Sequence, residues 1–237
     1  MKIPNSLEKQ PVVETVIEIR FDSSLPGDAI LGVFHNVLNE KFSVWEKLPA
    51  LQVPENVRSN DPNFLHSALY KLSNNKWIVN IGRKTVTLSP KEKYPGWNEF
   101  YSVAKDIFNK IESSNSVECI TRVGLRYINF FESNNFFEKL TLKLNMPFTS
   151  DPVARNLIFY LKDNDFTSKI LISDNAQLQK EEKRFHGSII DIDTFVERKI
   201  EFGELDNFFD LSHSVLERHF FDLLTDEFSS ELGASYD

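Results

Sequence analysis

The feature that most restricts the fold of this chain is the strict alternation over residues 122–131, Arg-Val-Gly-Leu-Arg-Tyr-Ile-Asn-Phe-Phe. Successive side chains of an extended strand point to opposite faces, so Val123, Leu125 and Tyr127 share one face while Arg122, Gly124 and Arg126 share the other. A helical period would scatter both sets. A strand with one apolar and one basic face belongs in an antiparallel sheet covered on one side. Residues 12–21 follow the same period. Val13, Thr15, Ile17, Ile19 and Phe21 lie on one face, Glu14, Val16, Glu18 and Arg20 on the other, and Pro11 sits at the start, where a missing N–H is tolerated.

Between these strands the period changes to that of helices. Ala29, Ile30, Val33, Phe34, Val37, Leu38 and Phe42 form one apolar stripe, with Ser24 as N-cap and Pro26 and Asp28 suited to the first turn. Residues 46–64, with Pro49, Pro54 and Pro62, read as a long surface connection. Residues 65–72 and 77–88 read as a hairpin about Ser73-Asn-Asn75, its second arm bent or split near Gly82. Trp97, Phe100, Ala104, Ile107, Phe108 and Ile111 mark a second helix.

The order up to residue 115 is thus strand–helix–strand–strand–helix, and the remainder repeats it. A strand over 117–131 is followed by a short helix or turn over 134–140 and strands over 157–162, 169–178 and 187–196. A closing helix runs from 205 to about 232, with Leu205, Phe208, Phe209, Leu216, Phe220, Leu223 and Leu224 on its apolar face. The repeat is one of element order rather than residue identity. The expected fold is α+β: two pseudo-repeated ferredoxin-like or TATA-binding-protein-like halves, residues 1–115 and 116–237, sharing an antiparallel sheet with helices on one face, in one compact unit. Strands 12–21 and 117–131 are then equivalent first strands near the centre, with Glu14 and Glu18 facing Arg122 and Arg126.

Composition narrows the chemistry. The apolar share of 41%, with 21 Phe and only 8 Gly, suits a packed globular core. A formal net charge of −8 argues against a uniformly basic nucleic-acid coat but leaves a local basic face open. With Cys119 as the single cysteine, neither an internal disulfide nor a cysteine zinc site is available. The start Met1-Lys-Ile-Pro-Asn has no apolar signal region, and no run approaches the ~18–20 apolar residues of a membrane span, so a cytoplasmic, non-membrane chain is expected.

Several residues are candidates for function. Glu14, Glu18, Arg20, Arg122 and Arg126 either form an anion- or partner-binding face, since arginine grips carboxylate and phosphate in bidentate fashion, or pair across strands and fix the register. Asp191 and Asp193 share a strand face and offer oxygen ligands to a divalent metal. With Glu14, Glu18 and the arginines they resemble, distantly, the inward carboxylates and cations of triphosphate tunnel enzymes, although Val16 stands where a further Glu would fit. The doublets Phe130-Phe131 and Phe136-Phe137 each put one ring off the core face and are candidates for an exposed partner patch. Gly124, in mid-strand, marks a bulge or a close approach by another group. The five histidines have no metal-ligand spacing, no glycine-rich phosphate loop occurs, and no cofactor is indicated. The run Lys180-Glu-Glu-Lys-Arg184 reads as a solvated turn.

The segments Pro11-Val-Val-Glu14 and Glu18-Ile-Arg-Phe21, Tyr94-Pro-Gly-Trp97, Arg122-Val-Gly-Leu-Arg-Tyr-Ile-Asn129, and the closing helix with His213 and Thr225-Asp226 resemble, in order and over most of the chain, a sparsely distributed bacterial and archaeal family without an assigned activity. The resemblance implies an accessory role, for example in defence-related gene neighbourhoods. The leading expectation is a non-catalytic binding or regulatory protein acting through a protein partner, itself or another chain. The alternatives are nucleic-acid or nucleotide binding on the polar sheet face, and a metal-dependent phosphohydrolase of the triphosphate-tunnel type.

Overall fold

The structure is a computed structural model describing all residues except 1, 2, 133, 134, 146, 148, 151, 181, 182 and 237. In chain order the elements are β1 (Ser6–Leu7), β2 (Val12–Asp22), α1 (Gly27–Leu38), β3 (Val44–Lys47), α2 (Glu55–Asn60), α3 (Pro62–Leu65), β4 (Ala68–Ser73), β5 (Trp77–Gly82), β6 (Thr85–Pro90) and α4 (Trp97–Ser113). Then follow β7 (Cys119–Phe131), β8 (Asn156–Asp163), β9 (Phe166–Lys180), β10 (Lys183–Ile200), α5 (Leu205–Leu223), α6 (Asp226–Glu231) and β11 (Ala234–Ser235). Short 3-10 turns occupy Pro49–Gln52, Phe136–Lys139 and Phe202–Glu204.

The fold is α+β, as the alternating strands and helical stripes require. Among the described residues, nine strands form one sheet in the order β3-β4-β5-β6-β2-β7-β10-β9-β8, and β1 pairs with β11. Strands β2 and β7 are neighbours in mid-sheet. Outward from them the later strands follow in reverse chain order on either side. Among the described residues the strand order ends on β3 at one side and on β8 at the other.

The chain divides into two compact units that interleave. One comprises Glu14–Leu125 and Phe195–Asp210; the other comprises Met1–Val13, Arg126–Thr194 and Leu211–Asp237. This division does not run at residue 115: β7 and β10 each contribute one end to each unit.

In the unit around residues 14–125, the odd positions of β2 are core: Ile17, Ile19 and Phe21 are fully or almost fully buried. Ile17 and Ile19 stand opposite Leu88 and Val86 of β6, so the register keeps apolar residues on one face. Helices α1 and α4 cover that face, with Phe34 edge-on to Phe21 and Phe100 stacked on Trp77. In the other unit α5 does the same, bringing Phe220 against Phe131 and His213 against Tyr127.

Two expectations change, for the connection over 46–64 and the closing helix, and the one for Gly82 is met. The connection over 46–64 is not structureless: Pro54 stands at the N-cap of α2, Pro62 is the first residue of α3, where a missing N–H costs nothing, and the Asp61 carboxylate accepts the Asn63 N–H. The second hairpin arm splits into β5 and β6 after Gly82, which lies so close to Ser67 that a Cβ would sit 2.4 Å from its carbonyl oxygen. The closing helix is broken. Thr225 caps a new helix, α6, through its Oγ1, and the interrupted backbone is satisfied by Leu140, Thr141 and Lys139 instead. The start of the turn expected over 134–140 and the centre of the run 180–184 lie outside the described residues; Phe136–Lys139 is a 3-10 turn.

Candidate functional site

The charged face of β2 and β7 is built by strand alternation. Within the Glu14–Leu125/Phe195–Asp210 unit, Arg122 points away from the helix-covered side and is nonetheless buried. Its Nη1 donates to Glu18 Oε2, its Nε lies 3.6 Å from Glu197, and its guanidinium sits 4.4 Å from the centroid of the Phe195 ring. Glu18 also accepts from Arg20 Nε at 3.1 Å and from the Thr85 hydroxyl at 3.3 Å. Gly124 is explained here: a Cβ on it would fall 2.5 Å from Arg122 Nη1, so the group approaching the strand is the arginine two residues before it. This cluster balances two cations against two carboxylates.

Arg126 belongs to the other unit and is held there by a different carboxylate. Its Nε and Nη2 bind Asp191 Oδ1 and Oδ2 at 2.8 and 2.6 Å, a bidentate pair. This arrangement corrects two expectations. Arg126 takes Asp191 rather than Glu14, which is exposed. Asp191 has both oxygens committed to a guanidinium and is poorly disposed as a metal ligand beside Asp193. Among the described residues no group of three or more His, Cys, Asp or Glu side chains is arranged to hold a metal. The sequence missed Glu197 and Phe195 as partners of Arg122. The signal was available, because Asp191, Asp193, Phe195 and Glu197 alternate on one face of β10 just as Arg122 and Arg126 do on β7.

The phenylalanine doublets do not form the exposed patch expected of them. Phe131, Phe136 and Phe137 are buried; Phe131 packs on Phe136, Phe220 and Phe228. The 3-10 turn and α6 supply the second layer that the sequence pattern had not revealed. Phe130 alone stays part-exposed, its ring laid over Gly187, where a Cβ would come within 2.7 Å of it. Around it opens a cleft of about 530 Å³. Pro11, Phe130, Phe131, Phe228 and Leu232 supply its apolar wall, and Lys9, Lys139, Glu132 and Glu231 its charged rim. The rim is organised: Lys139 pairs with Glu231 and lies over the Phe228 ring, and Lys9 Nζ donates to the Glu231 carbonyl at 3.0 Å.

Two further pairs of titratable groups are shifted by their surroundings. Burial holds the His213 imidazole down at about 4, and burial raises the carboxyl of Glu217, whose Oε2 lies 3.5 Å from His213 Nδ1. On α5, Asp206 is held below the ordinary carboxylate range by Lys105 and Tyr101, while burial, reinforced by Asp206, raises the Tyr101 phenol. Tyr101 and Asp206 lie 2.5 Å apart and tie α4 to the start of α5. Tyr101, Lys105 and Asp206 line a small recess between α4 and α5, whereas His213 and Glu217 stand one turn apart on α5.

No helix among the described residues is long and apolar enough to cross a membrane. No protein-family model and no curated protein matches the chain.

Proposed function

We propose that this chain is a non-catalytic binding or regulatory protein that works by holding a protein partner, in the accessory or defence-related setting implied by its sequence resemblance. The observation that carries the reading is the cleft beside Phe130, with its apolar wall and charge-balanced rim. Such a cleft suits a peptide segment that inserts one aromatic or aliphatic side chain and meets a lysine on one side and a glutamate on the other. The charged sheet face supports the nucleic-acid alternative less well. Arg20, Arg122 and Arg126 each already hold a carboxylate, which a phosphate would have to displace.

The test is affinity capture from the native host with the wild-type chain and with Phe130→Ala carrying Lys9→Glu. A specific protein captured by the wild type and lost with the variant is the expected result. Capture of no protein, or of the same protein by both, would refute the reading.

A further inference from the structure

The two edges of the nine-stranded sheet are protected very differently. β3 is four residues long and carries Glu46 and Lys47, the charged, short form that discourages further pairing. β8 is eight residues long, Asn-Leu-Ile-Phe-Tyr-Leu-Lys-Asp, and its charges are confined to one end. Its outer residues are exposed although apolar: Ile158 by 56%, Tyr160 by 66% and Leu161 by 41%.

The hydrogen bonding of β8 decides which groups face outward. The Asp174 N–H donates to the Arg155 carbonyl at 3.2 Å, and residues 155 and 174 stand directly opposite in the β8–β9 register. In an antiparallel ladder hydrogen-bonded and non-hydrogen-bonded pairs alternate, so the odd-numbered residues of β8 bond β9. The N–H and C=O groups of Asn156, Ile158, Tyr160 and Lys162 therefore point to the open edge.

We infer that this edge pairs with a second copy of the same chain, β8 against β8 in antiparallel fashion about a twofold axis at Phe159. One register engages all four outward-facing residues. Ile158 lies opposite Tyr160 of the second copy, Asn156 opposite Lys162, and Phe159 opposite its own equivalent. Four such pairs with two bonds each give about eight backbone hydrogen bonds. The same register sets Leu157 against Leu161, so apolar residues meet apolar residues on both faces. It also sets Arg155 against Asp163, opposite charges at both ends of the seam. Arg155 already binds Asp174, and Asp163 binds Arg218, so the four charges alternate in sign across the junction. A strand that is complementary to itself in backbone, apolar pattern and charge at one register is what an isologous dimer needs. The inference is independent of the cleft beside Phe130.

The test is the mass of the full chain by sedimentation equilibrium. The wild type is expected to approach twice its 27.5 kDa with rising concentration. Tyr160→Pro removes one outward N–H while sparing those that bond β9, and is expected to weaken dimerisation at least tenfold, about 1.4 kcal/mol. The register is tested separately by Ile158→Lys and Tyr160→Glu. Each alone is expected to be monomeric, with unchanged circular dichroism, and a mixture of the two to dimerise, because the new charges face each other. A wild type monomeric at the highest concentration reached, a dimer untouched by Tyr160→Pro, or two variants that fail to complement would each overturn the proposal.

Discussion

Replacing Glu18 with Gln tests whether the charged face of the sheet is an internally paired ladder. The Arg122 side chain is 7% exposed and Glu18 17%, so this pair is largely out of water. Removing one partner of a buried ion pair strands the other charge and costs roughly 3–5 kcal/mol. Here the loss is partly offset. Glu197 remains 3.6 Å from Arg122, although it is 60% exposed and weakly held, and the Phe195 ring still faces the guanidinium. The lower end of that range, about 3 kcal/mol, is therefore expected. In a chain of this length 1 kcal/mol moves the melting temperature by about 2–4 °C, which predicts a fall of roughly 6–12 °C. The assay is thermal unfolding followed by circular dichroism at neutral pH. Removing both partners, as Glu18→Leu with Arg122→Met, is expected to recover most of the loss, because no buried charge is left unpaired. A Glu18→Gln cost below about 1 kcal/mol, the range of an exposed pair, would refute the reasoning. It would return Arg122 to the pool of groups open to an anion.

Two other outcomes follow from the structure. Phe136 is 1% exposed and touches Phe131, Phe137 and Phe228, so Phe136→Ala should cost about 3–5 kcal/mol in urea unfolding; a near-neutral effect would reinstate the doublet as a surface patch. His213 is held near 4 against an ordinary 6.5, so the unfolded chain binds more protons between those values and stability falls as pH drops from about 6.5 to about 4. At 1.36 kcal/mol per unit this is roughly 3 kcal/mol at most, partly offset at the acid end by Glu217, whose raised folded-state value makes its protonation stabilising. His213→Phe should flatten the slope of melting temperature over that window, and an unchanged slope would exclude His213 as its source.

How much was legible in the sequence depends on how local the cause was. The α+β class, the core faces of β2 and β7, the stripes of α1 and α4 and the break near Gly82 all follow from side-chain period and from the few residues that punctuate it. Glu18 was also correctly set against Arg122, because two first strands with opposite charges on their polar faces were expected to be neighbours. Proline was misread over 46–64, since the residue that excludes strands also starts helices, and only the neighbouring hydrogen bonds decide which occurs. The broken closing helix was missed because its apolar stripe runs across Thr225 without a fault in period, and the break depends on Leu140 and Thr141, which are distant in sequence.

The sequence by itself determined which residues must alternate and which share a face, because that information is carried by spacing along one chain. It did not determine which carboxylate each arginine takes. Arg126 binds Asp191 because β10 lies beside β7, and strand adjacency is a property of the assembled sheet. Nor did it reveal that the phenylalanine doublets would be covered by α6 while β8 kept its apolar residues in the open. Burial depends on which layer arrives from elsewhere in the chain, and only the tertiary structure supplies that layer or leaves an edge without one.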